Sequence, residues 1–415
     1  MMNHDQAILE AKQKLGVSIP FEIEILSPVH IGNGEKLVKG FDYYEDNASL
    51  YLVAKEKVFE FLSEAENSSL INEYENNAEN ILQKMPNKDK VKFSIPSFYL
   101  ENKSINQSIT SQLGAALANI NLSKTSSFPS EISEFECNGQ GLPYIPGSSI
   151  KGSIRTALLW CLWEGLDTNT KRDLLWKAAN ASKKNAADGT MNYIFHSNNR
   201  FNPNTNFLRQ IQVGDVHFKE KDTKLTIVKS ANLKRHGFDY LVNEKPSDFA
   251  CLALPVNTKS QGTLKIDEFL STNNKAIEEL DLKVLTTTRL TKSVNAFSAE
   301  LIKKEMKYFD RDRAKFQSII TFYTQLQQQI EKLADDECIM RIGFGSGWRF
   351  MTGDNLTEAE LFPLRKEFNL GKPFMNPEKT QFTTPFPKTR RLVFNNSNGE
   401  KPETVCGWIK ISLKK

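Results

Sequence analysis

The chain has few cysteines and no clustered ones: its five, Cys137, Cys161, Cys251, Cys338 and Cys406, are widely scattered. No CxxC pair exists, which excludes a zinc knuckle or a dithiol redox motif. An odd, dispersed set fits reduced intracellular thiols. Long apolar runs are missing as well, and none approaches the roughly 20 residues that span a bilayer. The opening MMNHDQAILEAKQKLG carries acids where a signal peptide has its apolar stretch, so no membrane association is expected and the cytoplasm is the expected compartment. Histidines number five and show no HExxH or paired spacing. A dominant charge sign is also lacking: 54 Lys and Arg face 50 Asp and Glu, a net of +4. The domain-wide basic excess of many nucleic-acid binders is therefore absent.

What is present is a globular composition, with 39% hydrophobic residues and a mean hydropathy of −0.45. A length of 415 residues exceeds one ordinary core and suggests two domains with insertions, here 1–245 and 246–415. Apolar alternation at Phe21, Ile23 and Ile25 predicts a strand leading into the turn SPVHIGNG. Residues 49–54 predict a second strand. Helical spacing over Val58 to Met85 and nine acids against two bases over residues 45–80 predict an acidic helical insertion near 45–100. Residues 101–140 and 183–206 are polar and predict loops. Ile150, Ile154, Ala157, Leu158, Cys161 and Leu162 predict a helix capped by Ser148 or Ser149. Strands are predicted at 211–218, 224–233, around 250–265, at 338–342 and at 403–413, with a long helix over 299–333. Strands and helices mixed without a βαβ rhythm predict an α+β fold.

The sharpest chemical feature is PYIPGSSIKGSIRTALL. A Gly/Ser turn at a helix start presents backbone N–H groups and a positive dipole end, which suit a phosphate. Lys151 and Arg155, four apart, share one helix face. IGFGSGWR supplies Gly343, Gly345 and Gly347 beside Trp348 and Arg349, where glycines admit close backbone approach and Trp or Arg can stack on bases. His30 reads as a general base, an RNA contact or a structural histidine, and Asp42, Glu45 and Asp46 as catalytic or solvated acids. Asp215 and His217 fall two apart on a predicted strand, a ligand pair or merely structural. Two segments are locally basic: 283–316, with nine bases, four acids and interleaved Phe297, Tyr308, Phe309 and Phe316, and 386–415, with seven bases and two acids. That texture is used by single-stranded nucleic-acid binders, and equally by a helix with one solvated basic face.

With SPVHIGNG upstream, QVGDVHF between and RIGFGSGWRF downstream, PYIPGSSIKGSIRTALL resembles the RAMP superfamily of CRISPR-associated RNA-binding proteins. Within it the order of motifs is most similar to the family of fifth Csm subunits of type III-A effector complexes. The resemblance implies two ferredoxin-like, RNA-recognition-type domains and no cofactor or metal. It implies a non-catalytic subunit that caps the crRNA 3′ end and assists crRNA maturation. Its implied partners are crRNA, the backbone RAMP subunit, the small helical subunit and cellular ribonucleases. It places Gly147, Ser148, Ser149, Lys151 and Arg155 on crRNA phosphates, the turn of Gly343, Gly345, Gly347, Trp348 and Arg349 as a second contact, and His30 and Gly32 beside them. An RNA endonuclease using Asp42 or His30 is the alternative, Asp42 being nearest by spacing to the backbone subunit's catalytic Asp.

Overall fold

The computed structural model of the protein describes residues 18–38, 42–46, 49–53, 63, 71, 117–120, 131–196, 206–219, 222–234, 237–240, 249–266, 285–352, 356–371, 382, 386–394 and 401–414. Its strands are β1 (Ser18–Ile25), β2 (Gly32–Val38), β3 (Tyr43–Asp46), β4 (Ser49–Val53), β5 (Leu117–Ile120), β6 (Glu131–Phe135), β7 (Tyr144–Ile145), β8 (Ile211–Val213), β9 (Val216–His217), β10 (Lys224–Lys234), β11 (Gly237–Tyr240), β12 (Phe249–Ala253), β13 (Lys259–Ile266), β14 (Glu337–Arg341), β15 (Thr389–Phe394), β16 (Thr404–Val405) and β17 (Trp408–Leu413). Its helices are α1 (Gly147–Glu164), α2 (Thr168–Ala179), α3 (Asp188–Phe195), α4 (Thr287–Phe309), α5 (Gln317–Glu331), α6 (Gly347–Thr352) and α7 (Glu358–Phe368).

The first sheet runs β14-β17-β1-β13-β8 with every neighbour antiparallel. In β1 the predicted alternation holds: Phe21, Ile23 and Ile25 are buried. Their face meets α1 and α4, where Phe21, Val213, Leu264, Met340 and Ile411 enclose Ile150, Ile154 and Leu290. On the opposite face Glu22 and Glu24 reach Lys259 at 3.1 and 3.5 Å. Such exposed pairs contribute little, so the apolar face sets the register, since a one-residue slip would turn Phe21 and Ile23 outward.

The second sheet runs β16-β15-β10-β12-β6-β2, with β11 on β10. Here β6 and β12 are parallel. Both sheets draw strands from either side of residue 245: β1 pairs with β13 and β17, and β6 with β12. The division expected at 245/246 therefore does not separate the sheets, and one apolar core runs through residues of both halves.

Other expectations shift locally. The helix expected over 299–333 is two helices, α4 and α5, parted by the 3₁₀ turn Asp310–Asp312. The end of the turn expected in SPVHIGNG, from Gly32, belongs to β2, and residues 188–195, expected as loop, form α3. The acidic insertion over Val58–Met85 lies outside the described residues apart from Ser63 and Ile71. Among the described residues no helix is long and apolar enough to cross a membrane.

Candidate nucleic-acid interface

The helix after PYIP begins at Gly147, and its cap is Pro146, which has no side-chain acceptor to offer. Neither Ser148 nor Ser149 caps it. Instead the Gly147 N–H donates to Asp215 Oδ1 at 2.7 Å, and the Ser149 N–H donates to Pro146 O at 2.9 Å. Gly147 is required by crowding, because a Cβ there would collide with the Val213 carbonyl. The anion at this helix terminus is thus the chain's own carboxylate. That corrects the expectation of an open backbone phosphate cradle, and it gives Asp215 a structural role. Asp215 and His217 also do not share a strand face: β8 ends at Val213 and His217 belongs to β9.

One turn further along α1 the surface opens. Ser148, Lys151, Gly152 and Arg155 line a groove of about 540 Å³ whose opposite wall is Asn206, Leu208 and Arg209. Among the described residues neither Lys151 nor Arg155 forms an ion pair or a side-chain hydrogen bond. Partial burial lowers the Lys151 pKa from its ordinary value. Gly152 leaves the floor bare, since a Cβ there would meet nothing within 4 Å. The far wall is held by Asn206, whose Oδ1 accepts from the Leu208 N–H at 2.9 Å and whose amide lies 3.2 Å from His196 Nε2. Chemically this is an open cationic slot with a hydroxyl at its edge. Arg209 and Asn206 were not singled out by sequence, because they end a polar stretch that reads as a loop.

The Gly-rich turn packs against SPVHIGNG. Gly343, Gly345 and Gly347 all have left-handed φ, at +68°, +84° and +75°. Gly343 is further constrained, because a Cβ would lie 2.5 Å from His30 O. The Phe344 N–H donates to that same oxygen at 2.9 Å. Ser346 Oγ donates to Gly343 O at 2.7 Å, and Arg341 donates through Nε to Cys406 O at 2.8 Å and through Nη2 to Gly345 O at 3.0 Å. Ser153 Oγ donates to Arg341 O at 3.1 Å, so α1 is joined to the end of β14, whose Arg341 side chain holds the Gly-rich turn. Trp348 and Arg349 are half-buried; Trp348 meets Phe386 edge-on at 4.9 Å.

His30 lies beneath this turn and is 3% exposed. Its Nδ1–H donates to Leu252 O at 2.7 Å, and Phe135, Phe249 and Phe344 surround the ring edge-on. Burial pushes its pKa below the ordinary value, against the opposing pull of the Leu252 bond. The enclosed imidazole, bonded to Leu252 O and ringed by aromatics, supports the turn, as the structural reading of His30 has it. Gly32 is exposed above it, and a Cβ there would lie 3.0 Å from His30 Nε2. Asp42 is buried too, its Oδ2 accepting from the Val38 N–H at 2.7 Å.

The aromatic residues of the basic segment 283–316 also face inward: Phe297, Tyr308, Phe309 and Phe316 are all core residues. They do not form a stacking surface: Phe297, Tyr308 and Phe309 lie on the buried side of α4, Tyr308 beneath Arg390, and Phe316 precedes α5 and packs on Phe309. Lys292, Lys303 and Lys307 remain exposed on its other side.

Comparison with known proteins agrees with this architecture. The RAMP superfamily matches residues 22–350, and the chain belongs to that superfamily. It is similar to the CRISPR system Cms protein Csm5 of Methanocaldococcus jannaschii, with 22% identity over 96% of this chain and 90% of the relative. One solved likeness is a chain of a cryo-EM Csm–crRNA–target RNA ternary complex of a type III-A CRISPR-Cas system. There the TM-score is 0.66 at 21% identity, covering 96% of this chain and all (100%) of that one. Another is the crystal structure of T. onnurineus Csm5, with a TM-score of 0.58 at 17% identity, covering 94% and 99%. The likenesses to the solved structures establish the fold.

Proposed function

We propose that this chain is an RNA-binding structural subunit of a type III-A Csm effector complex, holding crRNA near its 3′ end and assisting its maturation. The observation that carries this reading is the groove of Ser148, Lys151, Arg155 and Arg209, an open slot lined by three cations. The likeness to a chain from a Csm–crRNA–target RNA assembly supports crRNA and the other Csm subunits as its partners. Cellular ribonucleases recruited to trim the crRNA belong to the same proposal. The first sheet supports a ferredoxin-like unit, since β17-β1-β13-β8 with α1 and α4 follows that order and β14 adds an edge strand. The second sheet, with its parallel β6–β12 pair, departs from that pattern.

Binding is favoured over cleavage because the two candidate catalytic groups are committed elsewhere. His30 is enclosed by three aromatic rings and Asp42 is bonded to its own turn. The test is binding of the full chain to crRNA across salt concentrations. Replacing Lys151 and Arg155 by Ala lowers affinity and reduces the salt slope by roughly 0.7 per lost phosphate contact. Unchanged affinity and slope in the double variant would remove the proposal, and metal-dependent cleavage lost in Asp42→Ala would replace it with the nuclease reading.

A further inference from the structure

The register of the second sheet gathers a flat surface patch. Val228 lies opposite both Phe249 and Val393, and Ser230 opposite Arg391. From the Gly-rich turn, Phe344 stacks on Phe249 with centroids 4.2 Å apart and planes at 21°. The Arg391 guanidinium lies 4.6 Å over Phe344 and 5.8 Å from Phe249. Both rings are half-buried and Arg391 is exposed. Among the described residues no carboxylate pairs with Arg391. The floor is packed: Val228, Cys251, Val393 and Cys406 lie against the rings, and His30 meets both rings edge-on.

We infer that Arg391, Phe344 and Phe249 form a stacking platform for an unpaired nucleobase of a single-stranded RNA. A guanidinium with one face on an aromatic ring turns its other face to solvent, and its N–H edge remains available to a phosphate. A base offers the plane and its own backbone offers the anion, so one nucleotide satisfies both. An acidic peptide would pair with the guanidinium edge alone and leave its outward plane uncovered. Stacking tolerates any base, so the platform fixes the path of the strand without reading its sequence.

This inference rests on the RNA-binding reading, and the experiment separates the two. The full chain is titrated with a short unstructured RNA and with an abasic strand of equal length, at several salt concentrations. Arg391→Lys and Phe344→Leu are each expected to weaken RNA binding about five- to a hundredfold. They should leave the salt slope unchanged, because no charge is lost, and weaken the binding of the abasic strand far less than that of the RNA. Arg391→Lys lies at an exposed position and decides the matter even if Phe344→Leu fails to fold. Wild-type RNA affinity in Arg391→Lys, or equal losses on both strands, overturns the platform. If the Lys151→Ala/Arg155→Ala variant still loses affinity in that case, RNA binding stands without the platform. If it too binds like wild type, both readings fall.

Discussion

The Gly147 N–H donates to the Asp215 carboxylate at 2.7 Å across 68 residues of sequence. This bond fixes the start of α1 against the turn between β8 and β9. It also places a negative charge at the positive end of the helix, where charge and dipole agree. Asp215→Ala is expected to cost about 0.5–2 kcal/mol of unfolding free energy, as loss of a helix cap does. Asp215→Asn, which keeps an acceptor, should cost less. Urea denaturation of both variants measures this, and equal stability of Asp215→Ala and wild type would show that the bond contributes nothing.

The glycines of the Gly-rich turn are not equivalent. Gly343 and Gly347 both adopt left-handed φ, which costs an alanine about 1–2 kcal/mol. Only at Gly343 does the added Cβ also meet backbone, His30 O at 2.5 Å, whereas at Gly347 nothing lies within 4 Å. Gly347→Ala should therefore lose about 1–2 kcal/mol and remain folded. Gly343→Ala should lose clearly more and disturb the turn that carries Phe344. Comparable melting temperatures for the two variants would contradict the packing argument.

Local patterns were legible in the sequence and long-range partners were not. Phe21, Ile23 and Ile25 announced β1, and Ile150, Ile154, Ala157 and Leu158 announced α1, because each pattern has the period of its own element. The cap of α1 was invisible, since Asp215 joins Gly147 only through the third dimension. Likewise nothing in the order of residues says that Ser18–Ile25 will lie between strands from residues 259–266 and 408–413. The basic aromatic texture of 283–316 misled because composition has no direction. Leu290, Val294, Phe297 and Leu301 recur at helical spacing, and that stripe buries the aromatics. Arg391 was counted among the bases of 386–415 but acquires its place only when β15 pairs with β10.

Glu305 and Arg390 form a buried bidentate pair, at 2.6 and 2.7 Å, with Tyr308 lying 4.0 Å below the guanidinium. Burial works against the charged carboxylate, but Arg390, by charge and hydrogen bonds, together with Arg341 and Arg349 holds the Glu305 pKa below its ordinary value. Breaking such a pair leaves one charge stranded, at a cost of about 3–5 kcal/mol. Glu305→Leu and Arg390→Met should each show that loss in denaturation, while the double variant should lose less than either single change. Additive losses would mean that the two charges act independently.

His30 makes stability depend on pH in a defined window. Burial lowers its pKa in the folded protein, while the unfolded chain titrates near the ordinary value of about 6.5. Between the lowered value and about 6.5 the unfolded state binds the proton and the folded state does not, so stability falls as pH drops through that window. Above it the contribution is fully present. The groups around the ring are Phe135, Phe249, Phe344 and the Leu252 carbonyl, with Arg391 over two of those rings. None is an acid that would favour the imidazolium. His30→Asn keeps a donor toward Leu252 O but cannot titrate, so its melting temperature should decline less than that of wild type between neutral pH and pH of about 5. Parallel declines in the two proteins would place the acid sensitivity elsewhere.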